Sequence, residues 1–304
     1  MVVNVLMSTY NGAKYLHRQI DSILTQKDVS VCLFIRDDGS TDNTVSILDE
    51  YSLKNRNIHV TKGSNIGYAM SFLWLVYNCP TPANNAYYAF SDQDDIWEEN
   101  KLLSAINLIQ SKCNSNIPVV YYSDLKVVDA NERYIRHAND WESNIDKYMI
   151  LTFIGIRGCT MVYNHQLQDI LISKPISKVA SHDTFVALVG FWAGKVVYDP
   201  DAHILYRQTG DNVSITGVNP IDKLKKNLLY VRKRMSVKSN ERRIMAENLL
   251  KYREYIPDCR KIERLAFYNK SLTATMKLLF DKSYYRHRST INIVNFVLIL
   301  FRKI

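Results

Sequence analysis

Four short apolar runs in the N-terminal part of the chain alternate with segments of helical spacing, and three of them end in small polar or acidic clusters. Residues 2–7 run into Ser8-Thr9-Tyr10-Asn11-Gly12. Residues 31–35 run into Arg36-Asp37-Asp38-Gly39-Ser40-Thr41-Asp42. Residues 57–61 form the third run, and residues 87–90 run into Ser91-Asp92-Gln93-Asp94-Asp95. Between them, residues 13–25 place Leu16, Ile20, Ile23 and Leu24 on one helical face. A second helix carries Val45, Ile47 and Leu48 with Ser40 or Thr41 as its cap, and residues 66–77 read as a third. Strand and helix in alternation predict βαβ units and a mainly parallel α/β sheet. Ligands of such sheets sit outside the carboxyl ends of the strands, so the three clusters should converge on one crevice.

The middle of the chain is less regular. Residues 119–123 and 125–129 read as strands. Residues 153–163 are mostly apolar and contain Gly155, Gly158 and Cys159, where glycine lets a ligand approach the backbone. His182-Asp183-Thr184 opens an apolar helix over 185–191, and strands follow at 196–198 and 203–207. From Pro220 onward the chain reads as basic helices. Residues 220–304 hold 21 Lys and Arg against 7 Asp and Glu, a local charge of +14, while the rest of the chain carries −5. The expected organisation is therefore an α/β domain over 1–219 and a basic helical region over 220–304 with a different, anionic partner.

Several classes are excluded. With 47% hydrophobic residues among 304, and only 10 Gly and 7 Pro, the chain is neither disordered nor collagen-like. The five cysteines form no CxxC pair, so neither a disulfide framework nor a zinc site is expected. The opening MVVNVLMSTYNG has no basic n-region, and a reducing cytoplasm is the expected location.

The carboxylates of Asp92, Asp94 and Asp95 repel one another, which costs stability unless a cation neutralises them. Hard divalent ions such as Mg2+ or Mn2+ take carboxylate oxygens and leave positions open for phosphates. The bland alternative is a solvated acidic turn capping the next helix. Asp37 and Asp38 offer acceptors for a base N–H, or an Asx turn. Tyr10 offers a ring for stacking, or a half-buried turn residue.

Together, a strand ending in Ser-Thr-Tyr-Asn-Gly, a strand ending in Asp-Asp-Gly-Ser-Thr-Asp and a strand ending in Asp-Gln-Asp-Asp-x-Trp resemble the family 2 glycosyltransferases of the GT-A, Rossmann-like fold. Asn65-Ile66-Gly67 resembles that family's Asn-x-Gly segment. Ser-Asp-Gln-Asp-Asp-Ile-Trp, with a later His-Asp and Tyr-Arg-Gln-x-Gly-x-Asn-Val, is most similar to bacterial rhamnosyltransferase-like members, which build cell-surface polysaccharides. The resemblance implies a nucleotide-diphosphate sugar donor, dTDP- or UDP-linked, held by Ser8, Thr9, Tyr10, Asn11, Asp37, Asp38, Asn65 and Asp92. It implies Asp94, with Asp92 and Asp95, as ligands of a divalent metal. Asp183 matches the catalytic base, and Arg207 and Gln208 match a loop that closes over the diphosphate. Thr209 stands where members commonly carry His, and Thr is a weaker partner for metal or phosphate. A single base implies direct displacement with inversion.

The tail ends in a segment, residues 291–301, that is apolar except for Asn292 and Asn295 and is flanked by Arg286, Arg288, Arg302 and Lys303. Eleven helical residues reach only about 16 Å, roughly half a bilayer core. Ile291, Val294 and Leu298 fall on one face suited to an anionic membrane surface, the alternative being a terminal helix packed on the domain. A glycan or lipid-linked glycan acceptor favours the membrane, on its inner face. Two other readings remain: a nucleic-acid-binding protein using the basic tail, which leaves the acidic clusters unexplained and lacks a nucleic-acid motif, and a catalytically weak sugar-nucleotide-binding protein.

Overall fold

The computed structural model describes residues 1–80, 86–114, 116–138, 151, 156–208, 240–285 and 291–304. Strands β1 (Val2–Thr9), β2 (Ser30–Asp37), β3 (Ile58–Lys62) and β4 (Tyr87–Ser91) pair in parallel in the order β3-β2-β1-β4. Alternation along β1 explains how this part is covered. Val3, Val5 and Met7 join one core with Leu16, Ile20 and Ile23 of helix α1 (Ala13–Leu24). Leu48 of α2 (Thr44–Lys54) and Leu102 and Ile106 of α4 (Lys101–Lys112) complete it. Helix α3 (Tyr68–Asn78) also packs on β1 and β2. A strand buried on both sides reads as a near-continuous apolar run, as residues 2–7 do apart from the buried Asn4.

Beyond β4 the sheet becomes mixed. The strands concerned are β5 (Ile96–Trp97), β6 (Val119–Val128), β7 (Tyr134–His137), β8 (Val162–Asn164) and β9 (Lys195–Arg207). The order continues β4-β8-β6-β9-β5, with β7 on β6; only β6 and β9 pair in parallel there. Helices α5 (His165–Ser173) and α6 (His182–Ala193) pack with α3.

Within the α/β unit the strand and cap boundaries differ from the sequence expectation. The two strands expected at 119–129 are one strand, β6, and those at 196–207 are one strand, β9, with register shifts between them near Ser123 and Asp124. The polar break in β9 is accommodated because Asp199 accepts hydrogen bonds from the Tyr121 hydroxyl (2.8 Å) and the Asp201 amide (2.9 Å). Neither Ser40 nor Thr41 caps α2. Asn43 holds the cap position, and the Asp42 carboxylate accepts from the Thr44 amide at 3.0 Å.

The chain divides into two units, Met1–Ser143 with Ile156–Val213, and Asn144–Gly155 with Ser214–Ile304. The second contains α7 (Glu241–Leu249), α8 (Arg260–Ala266), α9 (Leu272–Leu279) and α10 (Ile291–Leu300). Its buried residues include Met245, Leu249, Tyr252, Ile262, Leu265, Tyr268 and Leu278. Val294 and Leu298, expected on an outward face of α10, are 5% and 2% exposed: that face packs inward. The side chain of Ile291, Thr209 and most of the basic stretch from 223 to 243 lie outside the described residues. Among the described residues no helix is long and apolar enough to cross a membrane.

Candidate active site

Register brings the three polar clusters together. Thr9 pairs with Asp37 and Met7 with Ser91, so the loops after β1, β2 and β4 leave the same edge of the sheet side by side. They are laced to one another. The Asn11 amide donates to Ser40 Oγ (2.9 Å), and Asn11 Oδ1 accepts from the Thr41 amide (2.8 Å). Gln93 grips the backbone of Tyr10, accepting from its amide at 2.9 Å and donating to its carbonyl at 3.0 Å. This close approach requires Gly12, because a Cβ there would meet Gln93 Oε1 at 2.2 Å. The Tyr10 ring is left 47% exposed, free of the core.

Within this frame the expected donor-site residues have distinct roles. Asp37 is buried and accepts from Thr9 Oγ1 (3.0 Å) and from the Gly39 and Ser40 amides. Asp38 is buried too. Its oxygens accept from the amides of Ile66 and Gly67 at 2.9 Å each, which fastens the exposed Asn65 turn to β2. Arg36, to which the sequence assigned no role, is buried beside Asp38, pairs with it, and donates to the Ser64 carbonyl at 2.9 Å and Ser71 Oγ at 3.1 Å. Ser8 Oγ donates to the same Ser71 Oγ at 2.7 Å. Asp37 and Asp38 thus build the loops that bound the crevice.

The Asp-Gln-Asp-Asp turn carries the unbalanced charge. Asp92, Asp95 and Cys159 bring one ligand atom each to within 4.8 Å of one another. Asp94 is outside this trio. Asp95 is fully buried; one oxygen accepts from the Arg207 amide (3.3 Å) and the other has no hydrogen-bond partner. Burial, then the charges of Asp94 and Asp183, push the Asp92 carboxyl up to about 7. Burial, with Asp94 and Asp92, holds Asp95 well above the usual carboxylate range, and burial also raises Asp94. Two carboxylates, one of them with an orphaned buried oxygen, and a thiol are a donor set that fits a divalent cation, with the carboxylates favouring a hard ion.

A buried amine lies near this turn. Lys101, at the start of α4, is 1% exposed, and its Nζ sits 3.5 Å from the centre of the Trp97 ring without a hydrogen-bond partner. Burial brings its pKa down to about 7, opposed by the charges of Cys159 and Asp95. A lysine on a helical face gave no signal in the sequence.

Arg207 is buried beside the same turn. Its Nε donates to the Asp94 carbonyl (3.0 Å), Nη1 to the Ala130 carbonyl (3.1 Å) and Nη2 to Glu132 (3.2 Å). It secures the acidic turn to the β6–β7 connection in this structure, where the sequence expected it over the diphosphate. The Gln208 amide donates to the Val128 carbonyl at 2.8 Å. His203 is held between Asp199 (3.4 Å) and Glu98 (3.9 Å), and is not among the clustered ligands.

Asp183 lies in the first turn of α6, capped by Ser181. Its Oδ2 accepts from the Gly158 amide at 3.1 Å and its Oδ1 from the Thr184 amide at 2.6 Å. Gly158 is required by this approach, since a Cβ there would lie 2.9 Å from His182 Nε2 and 3.2 Å from Asp183 Cβ. The Gly158-Cys159 segment therefore touches Asp183 on one side and Asp92 and Asp95 on the other. His182 is stacked 3.9 Å from Phe72, and burial drives its pKa down to about 4, so it is a neutral packing residue.

Comparison with known proteins gives the family and the fold. The model of glycosyl transferase family 2 matches residues 4–170, more than half of the chain, which therefore belongs to that family. It is similar to dTDP-rhamnosyl transferase RfbG of Shigella flexneri, 38% identical over 124 residues, covering 38% of this chain and 42% of that protein. The match thus spans less than half of that relative's length. Glycosyltransferase GlyG of Streptococcus pneumoniae is 23% identical over 235 residues, covering 71% and 73% of the two chains. Among solved structures, S. aureus TarS 1-349 with UDP-GlcNAc superposes at a TM-score of 0.55 and 18% identity, over 98% of this chain and 81% of that one. The Pyrobaculum calidifontis mannosyltransferase PcManGT, with GDP-Man and Mn2+, gives 0.51 and 14%, over 98% and 84%. The fold is GT-A.

Proposed function

We propose that the chain is a metal-dependent, inverting hexosyltransferase. It moves a sugar, rhamnose in the favoured case, from a dTDP- or UDP-linked donor to a hydroxyl of a cell-surface polysaccharide or lipid-linked glycan precursor. The observation that carries this reading is the juxtaposition around Gly158-Cys159: uncompensated carboxylates of Asp92 and Asp95 on one side, an amide-anchored Asp183 on the other. The similarity to a dTDP-rhamnosyl transferase supports the donor.

The exposed Tyr10 ring offers a face to the base, on a loop that Gln93 and Asn11 hold in place. Asp38 and Arg36 hold the Asn65 turn at the donor side. Asp92 and Asp95, with Asp94 on the same turn, would hold Mg2+ or Mn2+, and Arg207 keeps that turn in position through the Asp94 carbonyl. When bound, such an ion supplies charge neutralisation for a departing nucleoside diphosphate. Asp183 accepts the proton of the acceptor hydroxyl as general base. With one base and no second carboxylate assigned as nucleophile, displacement inverts the anomeric carbon. The enzyme works on the cytoplasmic side of the membrane, where nucleotide sugars are supplied. The family assignment accounts for the acidic clusters that a nucleic-acid-binding reading leaves idle.

The test is a panel of dTDP- and UDP-sugars assayed for hydrolysis with and without a chelator, which needs no acceptor. Turnover of dTDP-rhamnose, lost in excess chelator, is expected. Full turnover in chelator overturns the metal assignment, and donor binding with no turnover of any sugar leaves only a sugar-nucleotide-binding protein.

A further inference from the structure

We infer that α9 and α10 of the C-terminal unit form a docking surface for an anionic lipid bilayer, through side chains other than those the sequence pattern selects. The inference goes beyond the sugar-transfer reading and does not depend on it. The two helices pack on each other, burying Leu278, Val294, Leu298 and Ile299. Each nevertheless keeps a second apolar stripe in solvent. On α9 and its cap this is Leu272, Met276 and Phe280, spaced four apart, with Leu272 70% and Phe280 68% exposed. On α10 it is Ile293, Phe296 and Leu300, with Ile293 68% exposed. Single exposed apolar residues need no explanation, but two stripes of large side chains on a packed helix pair do. Apart from Asn292 and Asn295, α10 is apolar, and its apolar residues fall on more than one face, so it has more apolar surface than one core contact uses.

The charge around the stripes selects the occupant. From Arg264 to Ile304 the sequence carries eight Lys and Arg and a single acid, Asp281. That acid is already engaged by Lys261, Arg264 and Ser283. Lys270, Lys277, Lys282 and Arg302 are exposed on or beside the two helices. A second copy of this chain would bring a like-charged region against this one, which disfavours self-association. A nucleic acid would satisfy the cations but leave the apolar stripes in water. An anionic bilayer satisfies both: headgroups pair with the cations, and the stripes enter the headgroup–acyl boundary. The ten residues of α10 reach about 15 Å, too short to cross, so the helix lies in the interface.

The experiment is co-sedimentation of the full chain with vesicles of phosphatidylcholine alone or mixed with phosphatidylglycerol. The wild-type chain should partition onto the mixed vesicles at least tenfold better than onto phosphatidylcholine. Phe280→Glu with Phe296→Glu should lower that partitioning tenfold or more, and Lys277→Glu with Lys282→Glu should do the same. These side chains are exposed, so the thermal melt and hydrolysis of a soluble donor should stay unchanged, which separates this inference from the sugar-transfer reading. Salt at 0.5 M should weaken wild-type binding without abolishing it, because screening spares the apolar contribution. The inference is overturned if the wild-type chain ignores mixed vesicles, or if the variants bind like wild type. It is equally overturned if sedimentation velocity shows a wild-type dimer that Phe280→Glu with Phe296→Glu dissociates while vesicles are not bound, since the occupant is then a second copy.

Discussion

Asp281 in the C-terminal unit and Asp92 in the α/β unit are the same residue type in opposite surroundings. Burial alone would raise Asp281, but hydrogen bonds from Lys261 and Ser283 outweigh it and hold the carboxyl at about 2. For Asp92 burial is the largest cause, the charges of Asp94 and Asp183 add to it, and its carboxyl rises to about 7. One acid is placed where it stabilises the fold; the other is held at a strand end where its ionised form costs stability until something positive arrives. The difference follows topology. The carboxyl edge of the parallel quartet collects loops that cannot be spread apart, because adjacent strands fix their separation, so carboxylates gathered there stay gathered. Among the described residues of the C-terminal unit, Glu247, Asp258, Glu263 and Asp281 each meet a Lys or Arg.

Removing a charge at the crevice should have the largest effect. Asp183→Asn is expected to lower turnover about 100-fold or more while leaving donor affinity near wild type, since the base meets the acceptor rather than the nucleotide. Saturation kinetics with separate donor titrations check this. A collapse of donor binding with turnover intact would move Asp183 into the donor site. Asn has one acceptor oxygen, so the variant can keep the Gly158 amide contact at 3.1 Å only by giving up the one to the Thr184 amide.

The second effect concerns Lys101, whose ammonium is buried with an ordinary value of 10.5 brought down to about 7. Between those values the unfolded chain holds the proton and the folded chain does not, so stability should rise with pH from about 7 towards 10.5. Lys101→Met should remove that rise. It should also stabilise the chain at neutral pH, because an apolar side chain removes the burial cost of the amine. Denaturant titrations from pH 6 to 10 read both; an unchanged slope would mean the amine is hydrated in solution.

These pairings also show what the sequence could and could not convey. The parallel quartet was legible because short apolar runs and their polar ends are local patterns, and convergence of the three loops follows once strands 1, 2 and 4 are adjacent. Asp92 and Asp95 were visible as a cluster. Cys159 and Lys101 were not, as a thiol in an apolar run and a lysine on a helix acquire meaning only through contacts across the sheet. Arg36 and Gln93 stood inside the quoted motifs, yet their work, clamping Asp38 and the Tyr10 backbone, depends on geometry that spacing does not encode. On α10 the apolar period admits more than one face, and only packing decided that Val294 and Leu298 turn inward.

A smaller effect is set by the protonation of Asp92. A cation must displace its proton below about pH 7, so affinity should be about tenfold weaker at pH 6 than at pH 8. Without a cation, the folded carboxyl binds a proton more tightly than the unfolded one at 3.8, so stability should fall as pH rises from about 4 to 7. Thermal melts with Mn2+ and with chelator, at both pH values, measure the two trends. Asp92→Asn should abolish the difference between them, and an equal Mn2+ shift at pH 6 and pH 8 would separate Asp92 from the ion.

The smallest effect is expected at Asp281, and it has the opposite sign. Its folded carboxyl titrates at about 2 against an ordinary 3.8, so its contribution is fully present above about pH 4 and is lost as pH falls through 2. The shift alone corresponds to roughly 2 kcal/mol, and solvent near the Lys261 and Arg264 side chains reduces this to about 1 kcal/mol. Asp281→Asn should therefore destabilise the chain by about 1 kcal/mol at pH 7 and by almost nothing at pH 2, read by denaturant midpoints at constant m. The same variant leaves Lys261 and Arg264 facing each other without their shared acid, so its cost should shrink as salt screens them. A cost that persists at pH 2 would mean that Asp281 acts through the loop it caps at Ser283, rather than through its charge.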